Sequence, residues 1–252
     1  MPSSSKISSM FEVPGPKLKS SDPGSTNLVY GTRNPSSWGL YVVTDRSLTR
    51  GRPLELVVEA SLQGGAKAIQ LREKDLSARA LHELAQRLLP IVHSRGAVLL
   101  INDRIDLALT LPIDGVHLAR TSLPPAEARD LLGPGRLIGV SCHSVHEAIE
   151  AQDGADFIVL GPLFFTPSKG SYGAPVGLER LREVRRHVAL PILGIGGITA
   201  SNAVGVIEAG ADGVAAISAV MAADDPASAV RDMLDAVSPA LTLRGGRRDP
   251  FK

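Results

Sequence analysis

Eight short runs rich in Val, Ile and Leu recur along this chain, and a segment with helical spacing follows each of them. That composition is typical of parallel strands that are buried on both faces. The runs cover residues 40–44, 68–72, 98–101, 115–118, 137–141, 157–161, 192–195 and 213–217. Strand followed by helix, repeated eight times over about 200 residues, predicts the α/β class and a (β/α)8 TIM barrel.

The alternative architecture is an open, doubly wound sheet. Such a sheet usually carries a glycine-rich dinucleotide fingerprint after its first strand. Here the first run ends in Val43-Thr44-Asp45, with no glycine cluster. The barrel is therefore favoured, and it requires catalytic groups at the carboxyl ends of the strands.

The amino-acid composition limits the classes of binding partner and the cellular compartment that we expect. The net charge is +1, so no global charge points to nucleic acid or to an anionic membrane. No apolar run reaches the roughly 18 residues that a membrane span needs. Cys142 is the single cysteine and cannot form an intramolecular disulfide, which predicts a reducing compartment, the cytoplasm.

The chain divides into three regions. Residues 1–37 are rich in Ser and Pro without a hydrophobic period, which predicts a disordered extension. The barrel is expected over residues 38–240, and residues 241–252 form a basic, flexible tail. Barrels of this size often associate, so a homo-oligomer is one expectation.

A pair of glycines marks the first candidate site. Gly196 and Gly197 follow the seventh run, and Thr199 then opens an amphipathic helical segment. Bare backbone N–H groups ahead of a helix, with the helix dipole behind them, bind anions. Ser218, after the eighth run, can add its own donors. We expect a phosphate site here; the alternative is that the glycines only permit a tight turn between strand and helix.

The second run carries a row of polar side chains. Gln70, Arg72 and Lys74 are spaced two apart, so in a strand they share a face. Pointed into the top of a barrel, they would form a cationic row suited to a diphosphate. The alternative is a charged outer face, which the covering helices of this fold disfavour.

Other polar residues follow the third, fourth and fifth runs. Asp103, after Asn102, could ligate Mg²⁺ or cap the helix that follows. His117 fits a hydrogen-bonded core histidine as well as a reactive one. His143, two residues after Ser141, could move a proton near neutral pH.

The loop after the sixth run is long enough to grip a ligand. Thr166 and Ser168 offer hydroxyls and Lys169 a mobile positive charge; the alternative is a plain exposed loop. With the glycine site and the cationic row, the barrel mouth would hold two phosphorylated groups. Either one bisphosphorylated substrate or two substrates brought together would satisfy that pattern.

In order along the chain, these motifs resemble the thiamine phosphate synthase superfamily, which includes a TenI-like thiazole tautomerase branch. The match runs from about Leu40 to Val237. The motifs are Tyr41-Val-Val-Thr-Asp45, Gln70-Leu-Arg-Glu-Lys74, Ile101-Asn-Asp-Arg104, Asp114-Gly-Val-His-Leu118, Gly139-Val-Ser-Cys-His-Ser144, Gly161-Pro-Leu-Phe164, Thr166-Pro-Ser-Lys169, Gly196-Gly-Ile-Thr199 and Ile217-Ser218.

The resemblance implies a transferase of thiamine biosynthesis that joins a hydroxymethylpyrimidine diphosphate to a thiazole phosphate, releasing pyrophosphate. It implies Mg²⁺ at Asp103 and a catalytic role for Lys169, Ser141 and His143. The implied contacts with the pyrimidine diphosphate are Gln70, Arg72, Lys74, Asn102, Ser141 and Lys169. Those with the thiazole phosphate are Thr166, Ser168, Gly196, Gly197, Ile217 and Ser218.

One departure from the family pattern concerns the metal. Synthases usually follow His-Leu of the fourth strand with Gly-Gln-x-Asp, whose aspartate is a second metal ligand. This chain has Arg120 at the glutamine position and Ser122 at the aspartate position, and serine is a weaker Mg²⁺ ligand. Two alternatives therefore stay open: a thiazole tautomerase that uses His143 without a metal, and a non-catalytic barrel that binds a thiazole or thiamine phosphate.

Overall fold

A computed structural model describes residues 33–166 and 175–245 of the chain. Eight parallel strands in this part close into a barrel in the order of the sequence, with β8 paired to β1. They are β1 (Gly39–Val43), β2 (Ala68–Leu71), β3 (Val98–Asn102), β4 (Gly115–Leu118), β5 (Leu137–Cys142), β6 (Phe157–Leu160), β7 (Ile192–Ile195) and β8 (Gly213–Ala216). Each predicted strand is confirmed to within one residue at either end. Closure excludes the open doubly wound sheet.

Helices alternate with the strands around the outside of the barrel. They are α1 (Leu54–Gln63), α2 (Ala78–His93), α3 (Ile105–Thr110), α4 (Pro125–Leu132), α5 (Val145–Glu150), α6 (Gly177–His187), α7 (Ala200–Glu208), α8 (Ser218–Met221) and α9 (Pro226–Gly245). Local signals explain several starts: Ser77 and Ser144 cap α2 and α5 with their side chains, and Pro125 is the first residue of α4. None of these helices is long and apolar enough to cross a lipid bilayer.

Two apolar clusters hold the fold together. The larger lies between the strands and the helices and is almost wholly aliphatic. The smaller fills the barrel and contains its aromatic rings. There the Trp38 ring lies 5.4 Å from that of Tyr41 and 5.2 Å from that of Phe157, measured between centroids. Filling the lower barrel with these rings leaves its upper end for polar side chains.

Both predicted ends of the barrel need correction. Residues 33–37, assigned to the disordered extension, contain a short 3-10 turn, Pro35–Ser37. Arg33 fixes this segment because its guanidinium lies 3.2 Å from the buried carboxylate of Asp114. At the other end α9 continues five residues past position 240, to Gly245. Residues 1–32 and 246–252 lie outside the described part of the chain.

Candidate active site

The carboxyl ends of the strands bring the predicted site residues to one end of the barrel. Gln70 lies on β2, Asn102 ends β3 and Ser141 lies near the end of β5. Parallel strands in a closed barrel direct all their carboxyl ends to the same rim. The spacing along the sequence therefore becomes a spatial cluster, which we call the mouth. Ser168 and Lys169, two further predicted site residues, lie outside the described residues.

Gln70 is the most deeply placed polar group of β2. Its side chain is 3% exposed, and its amide Nε2 donates to the hydroxyl of Tyr41 at 3.1 Å. Tyr41 lies on the neighbouring strand, and burial raises the pKa of its phenol above the usual value. The pair places a fixed hydrogen-bonding amide beneath the mouth.

Arg72 and Lys74 follow Gln70, but they do not continue the strand. β2 ends at Leu71, so Lys74 lies in the turn that leads to α2, and the single strand face predicted for the three residues holds only for its first member. Arg72 and Lys74 nevertheless interact electrostatically. The positive charge of Arg72, and then partial burial, lower the pKa of Lys74, while the negative charge of Asp103 opposes that shift. Two cations and one carboxylate thus lie within electrostatic reach of one another.

Glu73 supports the cationic pair from the opposite face of the chain. It is 5% exposed and accepts hydrogen bonds from the Thr44 hydroxyl at 2.6 Å and the Arg46 backbone N–H at 3.0 Å. The same Thr44 oxygen accepts the backbone N–H of Arg72 at 2.9 Å. Burial raises the pKa of Glu73 despite these bonds. The position of Arg72 therefore depends on a buried network behind the mouth.

Asp103 adopts an unusual backbone conformation. Its φ of +64° lies in the left-handed region, which aspartate tolerates better than most residues. The N-cap of α3 is Arg104, whose side chain makes no capping bond, so the alternative role of Asp103 as helix cap is wrong. The backbone N–H of Asp103 donates to the carbonyl of His117 at 2.9 Å, which ties the β3 end to β4. No hydrogen bond from the described residues reaches its carboxylate.

A metal site built only from protein side chains is not present in the described residues. No three His, Cys, Asp or Glu side chains converge there as a metal cluster. Ser122 is engaged elsewhere, because its hydroxyl accepts the backbone N–H of Ala119 at 2.7 Å. Mg²⁺ commonly binds through one or two carboxylates together with substrate phosphates and water. The lone Asp103 carboxylate fits that mode.

His117 and Ser141 form a hydrogen-bonded pair between β4 and β5. His117 Nε2 lies 2.9 Å from Ser141 Oγ, and the imidazole is 3% exposed. Burial, and next the charge of Arg72, lower the pKa of His117 to about 3. The imidazole is consequently neutral at physiological pH.

A second histidine lies on the rim beside Ser141. His143 Nδ1 lies 3.3 Å from a Glu147 carboxylate oxygen, which also accepts the His143 backbone N–H at 2.7 Å. The other Glu147 oxygen is 3.8 Å from Arg120 Nε, although the Arg120 side chain is 77% exposed. Glu147 thus orients both neighbours. Ser122, Ser141 and Glu147 help to line a cleft of about 530 Å³ here.

Cys142, between Ser141 and His143, is buried. Burial, and next the charge of Glu147, raise the pKa of its thiol to about 12. A thiol held protonated in this way is a poor nucleophile.

The glycine turn after β7 lies across the barrel from this cluster. Gly196 and Gly197 have φ of +100° and +64°, conformations that favour glycine. A Cβ on Gly197 would lie 2.5 Å from the carbonyl oxygen of Phe165 in the loop after β6. Thr199 is the N-cap of α7, and its N–H donates to the Asn202 side chain at 2.9 Å in a capping box. The backbone N–H groups of the two glycines and of the first turn of α7 therefore stay the predicted anion site on this side of the mouth.

Residues from β8 and the β6 loop complete that side of the mouth. Ile217 is the N-cap of the short helix α8, and Ser218 is its exposed first residue. Thr166 is partly buried and is the last described residue before the gap at 167–174. Two strand ends thus deliver backbone N–H groups and hydroxyls to a second region of the mouth.

Four residues that organise the site escaped the sequence reasoning. They are Tyr41, Thr44, Glu73 and Glu147. Glu73 carried a usable signal, since it alternates with Arg72 and Lys74 and so lies on the face that helices cover, where an acid requires partners. The Ser144-x-x-Glu147 spacing is typical of a capping box, and the Glu147 N–H does donate to Ser144 Oγ, but the Glu147 carboxylate accepts from His143.

Comparison with known proteins places the chain among proteins of one family. The model of a family described as thiamine monophosphate synthase matches residues 40–220. A thiamine-phosphate synthase of Roseiflexus castenholzii is 48% identical over 216 residues, which are 85% of this chain and 95% of that protein. One from Moorella thermoacetica is 49% identical over 204 residues, 81% of this chain and 97% of the relative. A solved thiamine phosphate pyrophosphorylase of Pyrococcus furiosus superposes with a TM-score of 0.75 at 36% identity, covering 82% of this chain and 98% of that structure.

Proposed function

The chain belongs to the thiamine monophosphate synthase family, and from that membership we propose that its barrel mouth makes thiamine phosphate. The reaction joins 4-amino-2-methyl-5-hydroxymethylpyrimidine diphosphate to a thiazole phosphate. A C–O bond to the diphosphate breaks, a C–N bond to the thiazole nitrogen forms, and pyrophosphate leaves. The observation that carries this proposal is the cluster of Arg72, Lys74 and Asp103 at the mouth, with the Gly196–Gly197 turn across from it.

The side of the mouth formed by β2, β3 and β5 would hold the pyrimidine diphosphate. Arg72 and Lys74 supply positive charge for the diphosphate oxygens, and Ser141 and Asn102 supply polar groups at neighbouring strand ends. Gln70, whose amide donates to the Tyr41 hydroxyl, would contact the pyrimidine ring. The lowered pKa of Lys74 supports this assignment, because a bound diphosphate would relieve the repulsion between the two cations.

A divalent cation fits beside Asp103. The carboxylate of Asp103 would bind it, with substrate oxygens and water as the other ligands. When bound, Mg²⁺ would supply further neutralisation of the diphosphate charge.

The thiazole phosphate would bind across the mouth. Gly196, Gly197, Ile217 and Ser218 present backbone N–H groups, and Thr166 and Ser168 add hydroxyls. Such N–H groups bind phosphate through partial positive charge without requiring a cationic side chain. The closed barrel then holds the thiazole nitrogen and the pyrimidine methylene carbon in one enclosure, which is the main benefit of bringing two substrates together.

We propose a dissociative order of bond changes. Diphosphate departs first, drawn by Arg72, Lys74 and Lys169, and leaves a pyrimidinylmethyl cation that the aminopyrimidine stabilises. The thiazole nitrogen then attacks this carbon. The neutral His117 and buried Cys142 suit this order, since neither adds a competing charge or a nucleophile beside the cation.

One observation favours the tautomerase as a second candidate. The Glu147 carboxylate holds His143 Nδ1, which leaves Nε2 available to move a proton. The synthase is the stronger assignment, because the relatives that match most of the chain carry that name and a tautomerase, which binds no diphosphate, has less reason to keep the cationic pair. The non-catalytic barrel lacks a comparable observation.

The deciding experiment is an assay of purified protein with both substrates. Thiamine phosphate should form with Mg²⁺ and cease on chelation, and pyrophosphate should appear in equal amount. If no product forms with any metal, and the non-aromatic thiazole phosphate is aromatised in chelator, the protein is a tautomerase. Tight binding of thiamine phosphate without either reaction would leave only the binding role.

Two further assignments accompany this function. The lone, buried Cys142 supports our proposal that the enzyme works in the reducing cytoplasm. Its partners would be small phosphorylated substrates, and association into a homo-oligomer stays a prediction.

A further inference from the structure

The buried imidazole of His117 has two ring nitrogens in very different surroundings. Nε2 lies 2.9 Å from Ser141 Oγ, and Ser141 is partly exposed at the mouth. Nδ1 is buried without a hydrogen-bond partner among the described residues. The β4–β5 register sets this arrangement, because it pairs His117 with Gly139, two residues before Ser141.

The wall around Nδ1 offers nothing to accept a hydrogen bond. A Cβ on Gly139 would lie 2.7 Å from Nδ1 and 2.3 Å from the ring of Phe157, so only glycine leaves room for the imidazole. The rings of Tyr41 and Phe157 lie 5.8 and 5.9 Å from that of His117. A proton on Nδ1 would be a buried, unpaired donor, which native proteins almost never retain; an unpaired acceptor is tolerated more often. The proton therefore belongs on Nε2.

We propose that His117 is a positioning residue that makes Ser141 a hydrogen-bond donor to the anionic substrate. The Nε2–H group donates to Ser141 Oγ, and the serine hydrogen is then free to point into the mouth. With the opposite tautomer, Ser141 would donate to the imidazole and present only lone pairs to a diphosphate. This inference rests on the proposed function, in which Ser141 contacts the pyrimidine diphosphate.

The assignment also excludes one chemical role for the pair. A serine next to a histidine is the arrangement of an activated nucleophile, in which Nε2 accepts the serine proton. Here Nε2 already carries a proton and cannot accept another. His117 thus orients a hydroxyl for binding, and Ser141 forms no covalent intermediate.

The tautomer can be measured directly in the wild-type protein. Long-range ¹H–¹⁵N correlation spectra of protein labelled at histidine distinguish the two neutral tautomers by their nitrogen shifts. The chain has six histidines, and the signals lost in His117→Gln identify the relevant ring. We expect the Nε2–H pattern. An Nδ1–H pattern would overturn the proposal, and this outcome does not depend on whether the protein makes thiamine phosphate.

Two variants of His117 test the consequence for binding. His117→Gln can still place an N–H donor near Ser141, whereas His117→Leu fills similar space without one. We expect His117→Leu to raise KM for the pyrimidine diphosphate, and Kd for inorganic pyrophosphate, about tenfold. His117→Gln should stay within about threefold of wild type, and KM for the thiazole phosphate should not change in either variant.

A double variant shows whether His117 acts through Ser141. If it does, adding His117→Leu to Ser141→Ala should cause no further loss of pyrophosphate affinity. Additive losses, or an unchanged affinity in a folded His117→Leu protein, would contradict the proposal. Pyrophosphate binding is measured by calorimetry without turnover, so an inactive wild type would refute the proposed reaction and leave this test intact.

Discussion

The hydroxyl of Thr44 donates a hydrogen bond to the carboxylate of Glu73, with 2.6 Å between Oγ1 and Oε1. Thr44 is fully buried, and the same oxygen accepts the backbone N–H of Arg72 at 2.9 Å. One threonine at the end of β1 thus joins a buried acid to the chain segment that carries the cations of the mouth. If Arg72 binds the diphosphate as proposed, substrate affinity should depend on this buried threonine.

Replacing this threonine should affect both stability and binding. Thr44→Val keeps the shape but removes the hydroxyl, so the Glu73 carboxyl and the Arg72 N–H each lose a partner. We expect a loss of about 2 kcal/mol in unfolding free energy, measured in urea, and a higher KM for the pyrimidine diphosphate. Thr44→Ser keeps the hydroxyl and is the control. A stable Thr44→Val protein with unchanged KM would show that the network does not position Arg72.

Asp103 allows charge to be separated from backbone conformation. Asparagine also tolerates a φ of +64°, so Asp103→Asn should leave unfolding free energy unchanged. Loss of the carboxylate should lower the synthase rate by about two orders of magnitude. A Mg²⁺ titration of the rate checks the cause, because the variant should need far more metal. If Asp103→Asn lowers the unfolding free energy as well as the synthase rate, Asp103 has a structural role.

Ser122 offers the converse test of the metal site. Its hydroxyl caps the Ala119 N–H, a bond that an aspartate side chain can also make. Ser122→Asp should retain the turn, add a carboxylate and reduce the Mg²⁺ concentration for half-maximal rate about tenfold. Ser122→Asn makes the same turn without the charge and should behave like wild type. If both variants show the same metal dependence, position 122 does not face the cation.

The strand pattern of the sequence was sufficient to predict the barrel, because continuous apolar runs leave few options for eight strands. The same pattern failed locally where the chain leaves the strand. Lys74 lies in a turn, and only the charges of Arg72 and Asp103 show that it belongs to the same cluster. The alternation of side-chain direction holds only within a strand, and β2 ends at Leu71.

Side-chain contacts between neighbouring strands could not be predicted from the sequence. The contact of His117 with Ser141 depends on the β4–β5 register, and that of Gln70 with Tyr41 on the packing of two strands. Glu147 shows the same limit on a helix, since its spacing from Ser144 suggested a capping box while its carboxylate accepts from His143. Spacing along the sequence identifies candidate site residues. It does not show which of two possible hydrogen-bond partners a side chain binds.

The glycine turn after β7 can be tested against a glycine in open space. Gly96, after α2, has the same φ of +64° as Gly197 and no described atom within 4 Å of an added Cβ, so Gly96→Ala should cost only about 1 kcal/mol of backbone strain. Gly197→Ala carries the same strain and also meets the Phe165 carbonyl at 2.5 Å. It should cost at least about 1 kcal/mol more and raise KM for the thiazole phosphate. Equal behaviour of both variants in denaturation and kinetics would refute the close packing of this turn.

Burial of neutral His117 should make the fold sensitive to acid. Its pKa is about 3 when folded and near 6.5 when unfolded, so between these values the unfolded chain binds the extra proton. Stability is therefore lost as pH falls through 6.5. Tyr41, whose ring lies beside that of His117, keeps its phenol protonated over this range, so it does not offset the effect. From pH 7 to pH 5, wild type should lose about 2 kcal/mol more than His117→Leu in metal-free urea titrations. Parallel losses would mean that the imidazole takes up a proton in the folded barrel, which the unpartnered Nδ1 and the nearby Arg72 charge both oppose.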